Sequence, residues 1–238
     1  MASQDRVPAE EFCAELVREA AADRRAMTAH PFIRSIADGE ATVAQILEFG
    51  TGMYRLVADA QRWTAAGYSQ CDDQAERVLM LRSFVEEETG SDTGTAAHAE
   101  LVADFLEGLG QSRSETYARS RRLRRRWQIY TDYMEFLGRC RPFWMYRGVS
   151  SLAGEAQFPA LCRLMVDAMA RHHGLDERVL RFWSVHIPIE EEHTSNAVKL
   201  IGRHLGTPDA RRMLRDGVWS HMELRYQAYL EPTLDFAS

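Results

Sequence analysis

Residues 182–193 read FWSVHIPIEEEH, and the spacing of His186, Glu190 and His193 inside that stretch bears on the whole chain. At about 100° per residue, Glu190 lies about 40° from His186 on a helix, and His193 about 20° away on the other side. The three side chains therefore share one face. Glu191 and Glu192 fall more than about 100° from it and are assigned to solvent. Two imidazoles and one carboxylate suit iron(II) and leave coordination positions open for oxygen. Helical bundles commonly build carboxylate/histidine di-iron sites from inward-facing residues on neighbouring helices, so the stretch is in keeping with the all-α fold that the composition of the rest of the chain predicts. The plainer account is a charged amphipathic face with two incidental histidines.

Working outward, nearly every segment has helical composition, and none alternates as a strand would. Helices are predicted from about Pro8 to Met27, from Thr42 to Tyr68 with Thr42 and Gln45 as a capping box, and from Asp72 or Asp73 to Thr89. His30-Pro31 is a break, since the residue before proline avoids helical geometry. Gly90 to Gly94 form another break. Further helices are expected from Ala96 to Leu109, from Ser112 to Arg139 behind a Ser112/Glu115 capping box, and from Pro142 to Arg171. The last two run from Asp176 to His204, with Pro188 inside, and from Pro208 to Leu230. About seven helices with short connections predict one helical domain over residues 1–238.

Two other segments place ligand-type residues beside apolar surroundings. FVEEETG (84–90) puts acids at a helix end, and His98 follows eight residues past its glycine, so both sides of the turn can face one cavity. Alternatively Glu86, Glu87 and Glu88 are a solvated run and His98 is polar surface. Glu155 stands alone among Ala153, Gly154, Ala156 and Phe158. A carboxylate there is costly to bury unless paired or bound to metal, and Arg147 or Arg163 offers a pairing.

Together HPFIRSIADGEAT (30–42), EEETG with HAELVADFLEGLG (86–110), GEAQFPAL (154–161) and FWSVHIPIEEEH (182–193) resemble the haem-oxygenase-like di-iron oxidases and oxygenases. Thiaminase II and pyrroloquinoline-quinone synthase are broader fold relatives. The resemblance implies a haem-oxygenase-like bundle and a metal set of Glu88, His98, Glu155, His186, Glu190 and His193, with Glu88 chosen over Glu87 on the alignment. It implies two iron ions per chain that activate O2, with Glu88, Glu155 and Glu190 as the catalytic carboxylates. Glu88 or Glu155 would bridge, His98 and His193 would sit nearer one iron, and His186 and Glu190 nearer the other. Relatives usually carry aspartate where Glu190 stands, and some add a second-helix glutamate, for which this chain offers Asp59 or Gln61.

The resemblance further implies an oxidoreductase acting on a small amine or amino-acid-derived substrate, with N-oxygenation favoured and an external electron donor. The alternatives are oxidative carbon–carbon cleavage by the same centre, a metal-free enzyme using Glu155 for acid–base chemistry, and a non-enzymatic binding protein. A substrate carboxylate would call for an arginine, and Arg55, Arg62 and Arg147 qualify by position. Tyr54, Trp144, Tyr146 and Trp183 are candidate cavity aromatics, although core packing accounts for each as well.

Net charge of −6 and a pI near 5.8 argue against nucleic acid or an anionic membrane as partner. The arginine-rich run RSRRLRRR (119–126) is therefore read as a solvated helix pairing with acids, within the chain or across the homodimer common among relatives. No apolar run reaches bilayer length, the N-terminus lacks a signal-peptide core, and a cytoplasmic location is expected. Cys13, Cys71, Cys140 and Cys162 are widely spaced and read as reduced thiols. His30 precedes proline and is not expected to ligate haem.

Overall fold

The computed structural model describes residues 7–234, and of residues 189–196 the backbone alone. Among the described residues it has eleven α-helices and no strand. They are α1 (Ala9–Ala22), α2 (Pro31–Ala37), α3 (Val43–Gln70), α4 (Gln74–Thr89), α5 (His98–Gly108), α6 (Arg113–Ser120), α7 (Arg125–Cys140), α8 (Phe143–Val149), α9 (Phe158–His173), α10 (Arg181–Gly202) and α11 (Pro208–Leu230). The count exceeds seven because two expected helices, Ser112 to Arg139 and Pro142 to Arg171, are each broken in two and one short helix, α2, lies where a loop was expected.

Both predicted capping boxes are present, at Thr42/Gln45 and at Ser112/Glu115, each satisfying orphan amides at a helix start. His30 does not merely end a helix. It caps α2, its Nδ1 accepting from the Phe32 amide, and Pro31 fills the first helical position. The arginine run is not one helix. Residues 121–124 turn, and Arg124 adopts an extended conformation ahead of α7. Its Nε lies 3.3 Å from Glu231, whose other oxygen accepts from the Arg126 amide. Arg119 pairs with buried Glu48 at 2.9 Å. These arginines thus neutralise acids of the same chain.

The expected helix from Pro142 to Arg171 is interrupted. Residues Ser150–Gly154 form a π-turn and Glu155–Gln157 a 3₁₀ turn before α9 resumes. Wide turns of this kind re-aim side chains and recur at functional sites.

Helix α3 packs on α4, α5 and α7, while α10 packs on α8, α9 and α5. Phe49, Trp127, Trp183 and Tyr229 form a buried aromatic cluster between these layers. Close helix approach is allowed by small residues. A Cβ on Gly138 of α7 would meet Trp63 Cβ of α3 at 2.9 Å. Among the described residues no helix is long and apolar enough to cross a membrane.

Candidate metal centre

Three helices deliver the core of the site. Helix α4 ends at Gly90, whose left-handed φ of 63° favours glycine, and a Cβ there would stand 2.5 Å from the Thr95 carbonyl oxygen. The tight turn brings His98, the first residue of α5, back over the end of α4. Its Nδ1 lies 2.9 Å from Glu87 Oε2 and its Nε2 3.3 Å from Glu86 Oε1. His186 arrives from α10, its ring edge-on to that of His98 with centroids 4.6 Å apart. Ligand atoms of Glu87, His98 and His186 all lie within 4.8 Å of one another. Both histidines are buried, His98 completely.

A supporting contact fixes which nitrogen His186 offers. Nδ1 of His186 is 2.6 Å from the Phe182 carbonyl oxygen, to which it donates, leaving the Nε2 lone pair available. Phe158 and Phe182 pack on the same ring. Glu86 is buried and accepts from the Asp92 amide at 2.5 Å and the Thr93 hydroxyl at 2.6 Å. Burial alone would raise its pKa, but those hydrogen bonds and His98 outweigh burial and hold the carboxyl below its ordinary range. Burial likewise pulls the His98 pKa down, and the carboxylates of Glu87 and Glu86 more than offset it.

Glu155 faces the same space from the 3₁₀ turn. Its Oε1 accepts from Arg147 Nη1 at 2.7 Å and its Oε2 from Ser151 Oγ at 2.8 Å. Glu87, Glu155, His186, Arg147, Gln61 and Tyr146 line one cavity of about 160 Å³. Met53, Leu56, Val57, Phe158 and Phe182 supply apolar wall. The Tyr146 phenol is pushed up to about 12, mainly by burial, with Glu155 and Glu87 adding their charge.

Of the six residues named from sequence, the structure brings His98, His186 and Glu155 to this region. Glu88 is exposed. Glu87, one residue earlier, takes the inward position, because a step of about 100° turns the next carboxylate off the buried face. Glu190 and His193 belong to α10, and their side chains lie outside the described residues. Gln61 lines the cavity, whereas Asp59 is bound by Arg55 and by Arg62 at 3.3 Å in a different cleft. Of the three arginines considered, Arg147 is therefore the one at the cavity. Of the aromatics, Tyr146 lines it, Tyr54 lines the other cleft, Trp144 stacks on His204 and Trp183 is core. Sequence reasoning missed Glu86. Its signal was the acid two turns ahead of Asp92 and Thr93 across a glycine.

The donor set fits a divalent transition metal. His98 Nδ1 is a buried nitrogen without a hydrogen-bond partner although a carboxylate oxygen lies beside it. Two imidazoles and a carboxylate are N/O ligands of the kind iron(II) accepts.

A model of a family described as iron-containing redox enzymes matches residues 47–226. The 4-aminobenzoate synthase of Chlamydia muridarum is 26% identical over 149 residues, covering 62% of this chain. The match spans 60% of that protein's own length. The pyrroloquinoline-quinone synthase of Granulibacter bethesdensis is 24% identical over 211 residues, covering 85% of this chain and 81% of the relative. Among solved structures, a TenA homolog from Pseudomonas syringae superposes with a TM-score of 0.79 at 11% identity, covering 95% of this chain and 93% of that one. A CADD-like protein of unknown function from Nostoc punctiforme gives 0.74 at 19% identity, covering 94% and 96%. At such identities the structures speak for the haem-oxygenase-like fold alone.

Proposed function

The chain belongs to the family of iron-containing redox enzymes, and on that premise we propose that it is a non-haem di-iron oxygenase or oxidase acting on a small amine or amino-acid-derived substrate, with N-oxygenation favoured. The observation that carries this reading is the convergence of Glu87, His98 and His186 within 4.8 Å beside a cavity that Glu155 also lines. Glu87, His98, Glu155 and His186 hold the metal in this proposal, and Glu190 and His193 of the same α10 complete the set. Bound iron supplies the redox chemistry with O2, drawing on an external electron donor. The protein's residues do the rest. The Phe182 carbonyl keeps His186 in the tautomer that presents its Nε2 lone pair, and Glu86 stands behind His98 Nε2. The apolar wall excludes water from the reacting groups.

Anaerobic titration with iron(II) tests the reading. About two ions per chain are expected, with loss of binding in His186→Ala. No binding, or a tightly held zinc, would overturn it. A second reading has one observation in its favour: Glu155 accepts hydrogen bonds from Arg147 and Ser151. That arrangement suits a metal-free enzyme using Glu155 for acid–base chemistry. Turnover that survives complete chelation would select it.

A further inference from the structure

One wall of the cavity carries polar groups that the proposed metal centre does not use. Helix α7 brings Tyr130 and α11 brings His221, and the Tyr130 hydroxyl lies 2.5 Å from His221 Nε2. Both side chains are buried and both line the cavity, with Met27 and Met134 beside them. Gly154, also on the wall, abuts the ring: a Cβ there would stand 3.5 Å from His221 Cε1, the carbon between the two nitrogens. The other nitrogen, Nδ1, is buried and has no hydrogen-bond partner among the described residues.

Proton counting favours one tautomer. Burial first, and then the charge of Arg225, hold the His221 pKa well below its ordinary value, so the ring is neutral and carries one N–H. Burial also keeps the Tyr130 phenol protonated. That hydroxyl has a single proton, and Nε2 is its one hydrogen-bond partner among the described residues. Were Nε2 the donor, two buried groups would be stranded, the phenol proton and the Nδ1 lone pair. With the hydroxyl donating to Nε2, only the Nδ1 N–H is left over.

Arg225 stands one turn from His221 on the same face of α11 and is 1% exposed. Its guanidinium donates to the carbonyl oxygens of Ala153 and Arg25 and to the side-chain oxygen of Gln157, all uncharged. No carboxylate is among its partners in the described residues, and a buried cation is costly without a counter-anion. Arg147, by contrast, is matched by Glu155. A donor nitrogen backed by positive charge selects an anionic acceptor, and the methionines beside it select an apolar body.

We propose that His221, oriented by Tyr130 and backed by Arg225, anchors through its Nδ1 N–H the carboxylate of an otherwise apolar molecule in this cavity. The step is a hydrogen bond, with no bond broken and no electron moved. It rests on the proposed function only in calling that molecule a substrate, since none of the three residues belongs to the metal set.

Calorimetric titration of the protein as isolated with hexanoate, its uncharged counterpart hexanol and its cationic counterpart hexylamine tests the anchor. Hexanoate is expected to bind at least about tenfold more tightly than hexanol, and hexylamine more weakly than either. His221→Phe keeps a ring without the donor and should lose the preference. Tyr130 is a positioning residue, and nitrogen-15 NMR of histidine-labelled protein reads its effect. The wild type should show His221 protonated at Nδ1, and hexanoate should shift that nitrogen while hexanol does not. Tyr130→Phe should mix the tautomers and weaken hexanoate about three- to tenfold, leaving hexanol unchanged. These last measurements carry the test should circular dichroism show His221→Phe unfolded. Hexanoate binding no tighter than hexanol overturns the anchor, and so does a proton found on Nε2. A preference retained in folded His221→Phe also overturns it, placing the anion on the metal or, if Arg147→Gln abolishes it, on Arg147. Failure of the iron titration with these results intact removes the metal reading alone, and the converse removes the anchor alone.

Discussion

Glu87 and Glu88 are chemically identical and one position apart, yet helix geometry gives them opposite surroundings. Glu87 touches His98, and Glu88 is exposed. Glu87→Ala is therefore expected to lower iron(II) affinity by more than about 100-fold, while Glu88→Ala leaves it within about twofold, as read by anaerobic titration of each. Glu86→Gln, which keeps the size but removes the charge behind His98, should weaken binding by about 10–100-fold. A second residue makes acid stability measurable. Burial pushes His30 down to about 4, with Arg225 adding to it, against an ordinary value of 6.5. Between those values the unfolded chain binds more protons than the folded one. Stability fully present above pH 6.5 is therefore lost as pH falls toward 4. His30→Asn keeps an acceptor for the Phe32 amide at the α2 cap but cannot titrate. Denaturant midpoints measured from pH 7 downward should slope less steeply in this variant, with buried His221, whose pKa is also depressed, and the depressed carboxyls of Glu86 and Asp23 still contributing.

At the scale of elements, the crossing of α3 and α7 depends on Gly138. A Cβ there would lie 3.1 Å from the Trp63 Cα and 2.9 Å from its Cβ, and backbone cannot swing away as a side chain can. Gly138→Ala is expected to cost about 1–3 kcal/mol, lowering the melting temperature by about 3–10 °C. Gly206→Ala, with nothing within 4 Å, should leave it unchanged. The elements also explain what the sequence disclosed. Capping at Thr42 and Ser112 was legible because donor and acceptor sit three residues apart. The break before α7 was not, because it answers to Glu231, more than a hundred residues away. The π-turn before Glu155 has no local spelling either. The pattern Ser150 to Gly154 reads as helix until packing against α1, α10 and α11 is known. His98 and His186 were legible from spacing and a glycine turn. Choosing Glu87 required the phase of α4, which a run of three glutamates hides.

The whole molecule ties these pieces together, since the candidate ligands come from α4, α5, α10 and the turn ahead of α9. Helices α4 and α5 lie in the first half of the chain, and α9 and α10 in the second. No such constellation exists in an unfolded chain, so a metal that binds it binds only the native state and stabilises all of it. At a free metal concentration of about 100 times Kd the gain is about 2.7 kcal/mol. For a chain of 238 residues that corresponds to about 5–10 °C in melting temperature. Manganese(II) added to metal-free protein should produce that shift, and the shift should vanish in the double variant His98→Ala, His186→Ala. It should also shrink as the solution is acidified, because protons compete for the imidazoles and carboxylates that must coordinate in their deprotonated forms. A centre confined to one helix would give a smaller effect, since the ligands of a single α-helix retain part of their proximity after unfolding. A shift that persists in the double variant would place the stabilising ion elsewhere on the protein and remove the reason for assigning the cavity to iron.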